Sequence, residues 1–435
     1  MTTQIFCAST LHGAATLAAA IDAGCFRPAR RRVLLVSNRA AEPEVSPSFD
    51  ELPGFDALRD RFDEVLSWNA AIAPFHPSGW SPRPSDAPLW ERHLRRLWQL
   101  DDDDLELTVD SVEAGPAVAV TGIFLGTPVH VYEDGLAGYG PTGSKLDPLL
   151  GTRVRRLLHL GLVPGVKPLL LTEFGVEAEV IPDDAVRAVF RKVGAASPAP
   201  EVPYRAPALL IGEHLPGVGP EEEEEVRLRM LRGAVALGHR SLVLSPHATA
   251  PAHRPGPLES EAERLGAELT VLDPSLLPET LFEQVRPALV VGCVSAALFT
   301  ARQLYGLDVA STGTREVLER LTPFEHGDRV PVVLAHTLLP ELETRLTRAP
   351  ANPGRLVIAL GFVAQPRIHA ELRPAATAYL ADGITPAEQE LFPRRRLTVL
   401  GLPGGLPGRL AALSRSPALR RAAGRARRLG RTVRR

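Results

Sequence analysis

Residues 4–37, QIFCASTLHGAATLAAAIDAGCFRPARRRVLLVS, decide the fold. Gln4 to Ala8 is a short apolar run. Gly13 to Ala23 carries Ala, Leu and Ile at helical spacing and stops at Gly24, and Val33 to Ser37 is apolar again. Strand, helix and strand in that order form a βαβ opening, and the alternation continues outward from it. Phe62 to Trp68 reads as a strand, Leu89 to Leu100 as a helix and Leu105 to Val112 as a strand. Pro116 to Phe124 reads as a helix with proline in its first turn, and a strand from Val129 runs into Glu133. The pattern predicts an α/β fold with a doubly wound parallel sheet, whose strand ends line one edge. Ser9, Thr10, His12, Asn38, Trp68, Asn69, Glu133 and Asp134 fall on that edge.

Ser197 to Pro207, SPAPEVPYRAP, is proline-rich and lacks apolar periodicity, so it reads as a linker. A second α/β series follows: strand Ala208 to Ile211, helix Glu221 to Leu237, strand Ser241 to Leu244, helix Leu258 to Leu265, strand Leu269 to Leu272, helix Pro278 to Val285 and strand Ala288 to Val291. Further α/β elements are expected through Leu318, Val332 and Leu356. The expected organisation is a Rossmann-like domain over residues 1–196, a second over 208–408, and a basic tail over 409–435. No short-period repeat is present, so the chain is not a solenoid.

The 435 residues suit two to three domains, and the 45% hydrophobic and 23% charged content is that of a globular protein. A formal net charge of −2 gives no global attraction for nucleic acid, and none is expected as a partner. Cys7, Cys25 and Cys293 lack metal-ligand spacing and suit a reducing compartment as free thiols. The start MTTQIFCASTLHG has no signal-peptide pattern and no apolar stretch is long enough to span a bilayer, so a cytoplasmic location is expected. High Arg, Ala, Pro and Gly with little Lys or Met points to a GC-rich genome.

The chemistry gathers in Val129 to Gly140, VHVYEDGLAGYG. A buried strand delivers two adjacent carboxylates, Glu133 and Asp134, to a glycine-rich turn. Neighbouring acids push each other's pKa apart, which leaves one able to accept a proton. An ordinary strand followed by a polar turn is the plainer reading of the same tripeptide. In the second half, His247 follows the strand ending at Leu244, where it can donate a hydrogen bond or a proton to a leaving phosphate oxygen. In VVGCVSAALFTA, Gly292 ends a buried strand and Ser295 opens an Ala-rich helix, whose free amides and capping hydroxyl suit a phosphate; Ser295 is equally well a plain N-cap. Ser311 and Thr312, beyond another strand-like segment, are further candidates for nucleotide contact.

Competing signals are weaker. Asp101 to Asp104 has acids at metal-ligand spacing but reads as a solvated connection, and no metal site is expected. Gly138 to Ser144 lacks dinucleotide and P-loop spacing, so neither NAD nor ATP is expected as a cofactor. The arginine-rich stretch Arg409 to Arg435 fits either a solvated tail or a surface helix drawn to anionic lipid, each basic residue adding on the order of 1 kcal/mol there. A peripheral contact with the inner membrane face is the corresponding expectation.

Two Rossmann-like domains across a cleft form the architecture called GT-B among sugar-nucleotide glycosyltransferases. Taken in order, Glu133-Asp134-Gly135, His247 and Ser295 resemble the D/E-D/E-G, H-P and serine motifs of the bacterial polysialyltransferase-like family of sialyltransferases. The likeness extends to TQIFCASTLHGAATLAAAIDAG, VLLVSN and LLHLGLVPGVKPLLLTEFGV, and so covers most of the chain up to about Gly313. Ala248 stands where the family has proline. The resemblance implies an inverting, metal-independent transfer of sialic acid from CMP-sialic acid to a glycan hydroxyl. Glu133, or alternatively Asp134, would be the base and His247 the group on the leaving phosphate. Ser295 and Gly135 would lie at the nucleotide phosphate, and Thr10, His12 and Asn38 on the acceptor side. A catalytically idle carbohydrate-binding relative, for which Ala248 argues, and a GT-B epimerase are the alternatives.

Overall fold

A computed structural model describes residues 2–247 and 256–406. The chain forms two compact units, Met1–Ala349 and Pro350–Arg435. The first unit contains both α/β halves, which are called its first and second lobes below. Ser197 to Pro207 does separate the two sheets along the chain, but both sheets belong to one unit, and residues 350–406 belong to the other.

The first lobe holds seven strands: β1 (Thr2–Ala8), β2 (Arg31–Val36), β3 (Glu64–Ser67), β4 (Asp104–Val109), β5 (Val129–Glu133), β6 (Val154–His159) and β7 (Glu177–Val180). They pair in parallel in the order β3-β2-β1-β4-β5-β6-β7. The second lobe holds β8 (Ala208–Ile211), β9 (Ser241–Ser245), β10 (Glu268–Val271), β11 (Leu289–Gly292) and β12 (Val309–Ser311), also parallel, in the order β10-β9-β8-β11-β12. Each sheet runs outward from a central strand and then returns to that strand's other side. The winding therefore reverses between β1 and β4 in the first lobe and between β8 and β11 in the second. Crevices beyond the carboxyl ends of strands at such reversals are where open α/β sheets bind ligands.

Burial explains the central strands. β1, β2 and β8 are almost wholly buried and read as apolar runs, as parallel strands covered on both faces do. The helix Leu11–Asp22 is buried along most of its length, and Thr10 caps it by accepting from the Gly13 amide at 2.9 Å. β6, β7 and the helix Asp183–Ala195 complete the first lobe in a stretch where periodicity assigns no element. After β12 the remainder of the first unit is helical, with Thr314–Arg320 and Arg329–Leu338. Among the described residues, no helix is long and apolar enough to cross a membrane.

The second unit is built from short helices. Pro353–Ala364 is capped by Asn352, whose side chain accepts from the Arg355 amide at 3.0 Å, and it packs against Arg373–Ala381. The Arg396 guanidinium donates to the carbonyls of Val363 and Ala364 at 2.5 and 2.9 Å, placing a cation on the carboxyl end of that helix. Tyr379 donates to the Glu388 carboxylate at 2.7 Å. The arginine-rich stretch 409–435 lies outside the described residues.

Candidate active site

β5 is buried through Tyr132, whose hydroxyl donates to the Cys7 carbonyl of β1 at 3.2 Å and so fixes where the strand ends. The chain then turns over the carboxylate of Glu133. The Gly135 amide donates to Glu133 Oε1 at 3.2 Å, and Gly138 lies so close that a Cβ there would stand 2.8 Å from Glu133 Cγ. Glycine at 138 therefore gives the Glu133 side chain its room. Burial is the main cause that pushes the Glu133 carboxyl far above the ordinary carboxylate range, and the charges of Asp134 and Asp110 add to it.

Asp134 goes the other way. Burial alone would raise it, but the hydrogen bond and charge of His12 outweigh that and hold Asp134 below the usual range. His12, on the first turn of Leu11–Asp22, has Nδ1 3.3 Å from Asp134 Oδ2 and Nε2 3.5 Å from Glu279 Oε1. Burial works against the imidazolium, yet the carboxylates of Glu279, Asp134 and Glu133 together push His12 up to about 9. Two adjacent acids thus hold different protonation states, the arrangement that separates a proton acceptor from a fixed anion.

The second lobe supplies the opposite wall. β11 ends at Gly292, and Ser295 caps the helix Ala296–Tyr305 by accepting from the Ala297 amide at 3.1 Å. The amides ahead of that helix are already engaged. Glu213, just past β8, accepts from the Cys293 amide at 2.5 Å and from the Val294 amide at 2.8 Å, across the point where the sheet reverses. Burial pushes Glu213 up to about 7, against the lowering effect of the amides of Cys293, Val294 and Ser295. Glycine at 292 leaves this carboxylate its place, since a Cβ there would stand 2.7 Å from Glu213 Oε1 and push it aside.

The two lobes meet at these loops. A Cβ on Gly135 would lie 3.7 Å from the Ala296 Cβ. Between them is a cavity of about 560 Å³, lined by Glu133, Gly135, Leu136 and Ala137 from the first lobe and by residues including His214, Val294, Ala296, His326 and Asp328 from the second. A larger hollow of about 870 Å³ lies among Arg30, Arg31, Glu64, Arg95 and Asp101. These residues stand at the amino-terminal ends of β2, β3 and β4, the wrong edge of a parallel sheet for a ligand site, so the smaller cavity is the candidate.

The expected site residues separate into groups. Glu133, Asp134, Gly135 and His12 come together, and Ser295 flanks cavity-lining Val294 and Ala296. Both ring nitrogens of His12 face carboxylates. Thr10 is a helix cap, and Asn38 spends its side chain on its own loop, donating to the carbonyls of Pro43 and Ser46 and accepting from Ala40. Ser311 and Thr312 stand at the carboxyl end of β12. Both are buried, and the Thr312 hydroxyl donates to Glu343 at 2.6 Å. Asp103 of the acidic run accepts from Thr3 at 2.7 Å and pairs with Arg30 at 3.2 Å, tying β4 to β1.

His247 follows β9 but does not line the cavity. Desolvation, and then the charge of His214, hold its pKa below the ordinary histidine value. Ala248, where the proline motif departs, lies outside the described residues. The cavity's own histidine in this region is His214, held by Glu223 at 2.8 Å. Sequence reading missed His214, Glu213 and Glu279. The first two follow the apolar run of β8 directly and fall on the same strand-end edge that singled out His247. Glu279 carries no local signal.

An acid pair in one parallel α/β lobe faces a helix start in the other across a cavity, and together with the family match this makes the chain a glycosyltransferase. The alpha-2,8-polysialyltransferase (POLYST) family model matches residues 4–314, and the chain belongs to that family. No curated protein matches it. Solved structures with a similar outline include the alpha/beta-galactoside alpha-2,3-sialyltransferase of Photobacterium phosphoreum (12% identity, TM-score 0.44, covering 79% of this chain and 98% of that one). Two others are the UDP-GlcNAc 2-epimerase of Methanocaldococcus jannaschii (11%, 0.44, 81% and 95%) and MurG of Acinetobacter baumannii (13%, 0.39, 90% and 97%).

Proposed function

We propose that this glycosyltransferase moves sialic acid from CMP-sialic acid to a glycan hydroxyl by direct displacement, with inversion at the anomeric carbon and without a metal ion. The observation that carries the reading is Glu133, a carboxyl with strongly raised proton affinity, in the cavity opposite the start of Ala296–Tyr305. The acceptor oxygen attacks the anomeric carbon from the first-lobe side while Glu133 takes its proton. The bond to the CMP phosphate breaks toward the second lobe, and CMP leaves with the bonding pair. A base on one wall and an anion seat on the other is the geometry of an in-line exchange.

Donor phosphate takes the amides of Cys293, Val294 and Ser295 in exchange for the Glu213 carboxylate, and the Ser295 hydroxyl donates a hydrogen bond to a phosphate oxygen. His214 lines the cavity on the side of the departing phosphate, while His247 follows β9 on the same sheet edge and is neutral because its pKa is held down. These donors offset charge that a divalent cation meets in other transferases.

CMP release from CMP-sialic acid, followed with and without sialylated glycan acceptors, tests the reading. Acceptor-dependent release that survives EDTA is expected. Tight CMP binding without turnover on any acceptor would make the chain an idle relative, and a preference for UDP over CMP would overturn the donor assignment.

A further inference from the structure

We propose that His12, held between Asp134 of the first lobe and Glu279 of the second, is the positioning residue for the acidic pair, and that Glu279 is its necessary counterpart. The inference rests on the transfer reading given above, with Glu133 as base. Glu279 stands on the first turn of the helix Pro278–Gln284 and is 4% exposed. A carboxylate so deeply buried is costly unless paired, and the partner within reach is the imidazole of His12 at 3.5 Å. His12 in turn reaches Asp134 with its other nitrogen. The three side chains form a line from the β5 turn to the second lobe, Asp134 to His12 to Glu279.

The groups facing His12 come from each element around it. Asp134 and Glu133 project from the β5 turn, Glu279 comes from Pro278–Gln284, and the Phe190 ring of Asp183–Ala195 lies 5.2 Å from the imidazole. Three carboxyl groups and an apolar ring favour a cation held in one place. That cation fixes Asp134 as an anion, and Asp134 then leaves Glu133 as the member of the pair that exchanges a proton. The direction follows from charge alone. Removing the cation raises the proton affinity of Glu133, so the limb on which rate rises with pH moves to higher pH.

The test uses full-length His12→Gln and Glu279→Gln, both able to keep a hydrogen bond in place, with far-ultraviolet circular dichroism and thermal melts confirming the fold. Single-turnover transfer from CMP-sialic acid is followed from pH 6 to 9.5. For His12→Gln the rate at pH 7 is expected to fall about tenfold or more while recovering most of it at pH 9, since each pH unit below a base's pKa removes about tenfold of its ionised form. Glu279→Gln is expected to move the same limb by a smaller amount, about threefold at pH 7. Independently of turnover, the His12 imidazole is titrated by NMR in the wild type and in Glu279→Gln. A wild-type midpoint near 9 that drops in the variant supports the proposal. An unmoved midpoint, or a rate loss equal at every pH, overturns it. If the wild-type chain transfers nothing, the donor reading falls while the imidazole titration still decides whether Glu279 holds His12.

Discussion

At the first lobe's edge, Glu133, Asp134 and His12 lie against one another and a fourth group, Glu279 of the second lobe, closes the set on His12. At the second lobe's edge a single carboxylate, Glu213, sits on backbone amides, and the histidine beside it, His214, has 74% of its side chain in solvent. The first edge carries its charges in fixed, mutually dependent states before any ligand arrives, which is what a proton acceptor needs. At the second edge Glu213 occupies the amides of Cys293 and Val294, which on the proposed transfer a donor phosphate takes over. Substitutions at the first edge should therefore act on kcat and its pH dependence, and those at the second on donor affinity.

The largest break in that contrast is expected from Glu133→Gln. Transfer should fall by about 100- to 10,000-fold, the range typical of general acid-base assistance, while CMP affinity measured calorimetrically stays close to wild type. Unchanged turnover would remove Glu133 from the mechanism. In the wild type, the acid limb of kcat should rise through about pH 8, because the base works only when ionised and its carboxyl is held far above the ordinary range.

Gly138→Ala comes next. The added Cβ would press on Glu133 Cγ at 2.8 Å, and kcat should fall about tenfold to a hundredfold, since displacing a reacting group by an ångström costs up to about a hundredfold. Donor KM should hardly move.

On the second lobe, Ser295→Ala loses a helix cap and, on the proposed transfer, a phosphate contact. Denaturant melts should show about 1 kcal/mol less stability, and donor KM should rise about tenfold, the loss of one hydrogen bond to a charged group. A stability loss with no change in KM would reduce Ser295 to a cap. The smallest and most diagnostic effect is Glu213→Gln. Glu213 has its pKa raised to about 7, so above neutrality it is ionised and competes with phosphate, while below it is protonated and does not. The variant should bind CMP several-fold more tightly than wild type at pH 8 and equally at pH 6; weaker binding at both would make Glu213 a scaffold for the loop rather than a stand-in anion.

The strands of both lobes were legible because each is a short apolar run closed by turn residues; Ala208–Ile211 reads the same in sequence and structure. β7, Glu177–Val180, was not, because all four residues are exposed and three of them, Glu-Ala-Glu, carry no strand pattern. That strand exists through its backbone pairing with β6. The acid pair and Ser295 were legible as strand-end and helix-start residues. Ser311 and Thr312 had the same local character, but their burial and the hydrogen bond of Thr312 to Glu343 were not legible in it.

Local pattern alone determined that this chain folds as two α/β series, with Glu133, Asp134 and Ser295 on the ligand-binding edges of their sheets, because burial and turn chemistry act over a few residues at a time. Tertiary structure decided which of those groups are charged and which face each other. His12 meets Glu279, and Glu213 meets the amides of Cys293 and Val294, across separations in sequence that no periodicity records. Proton affinities follow from burial and from neighbouring charges, and both exist only once the lobes have come together.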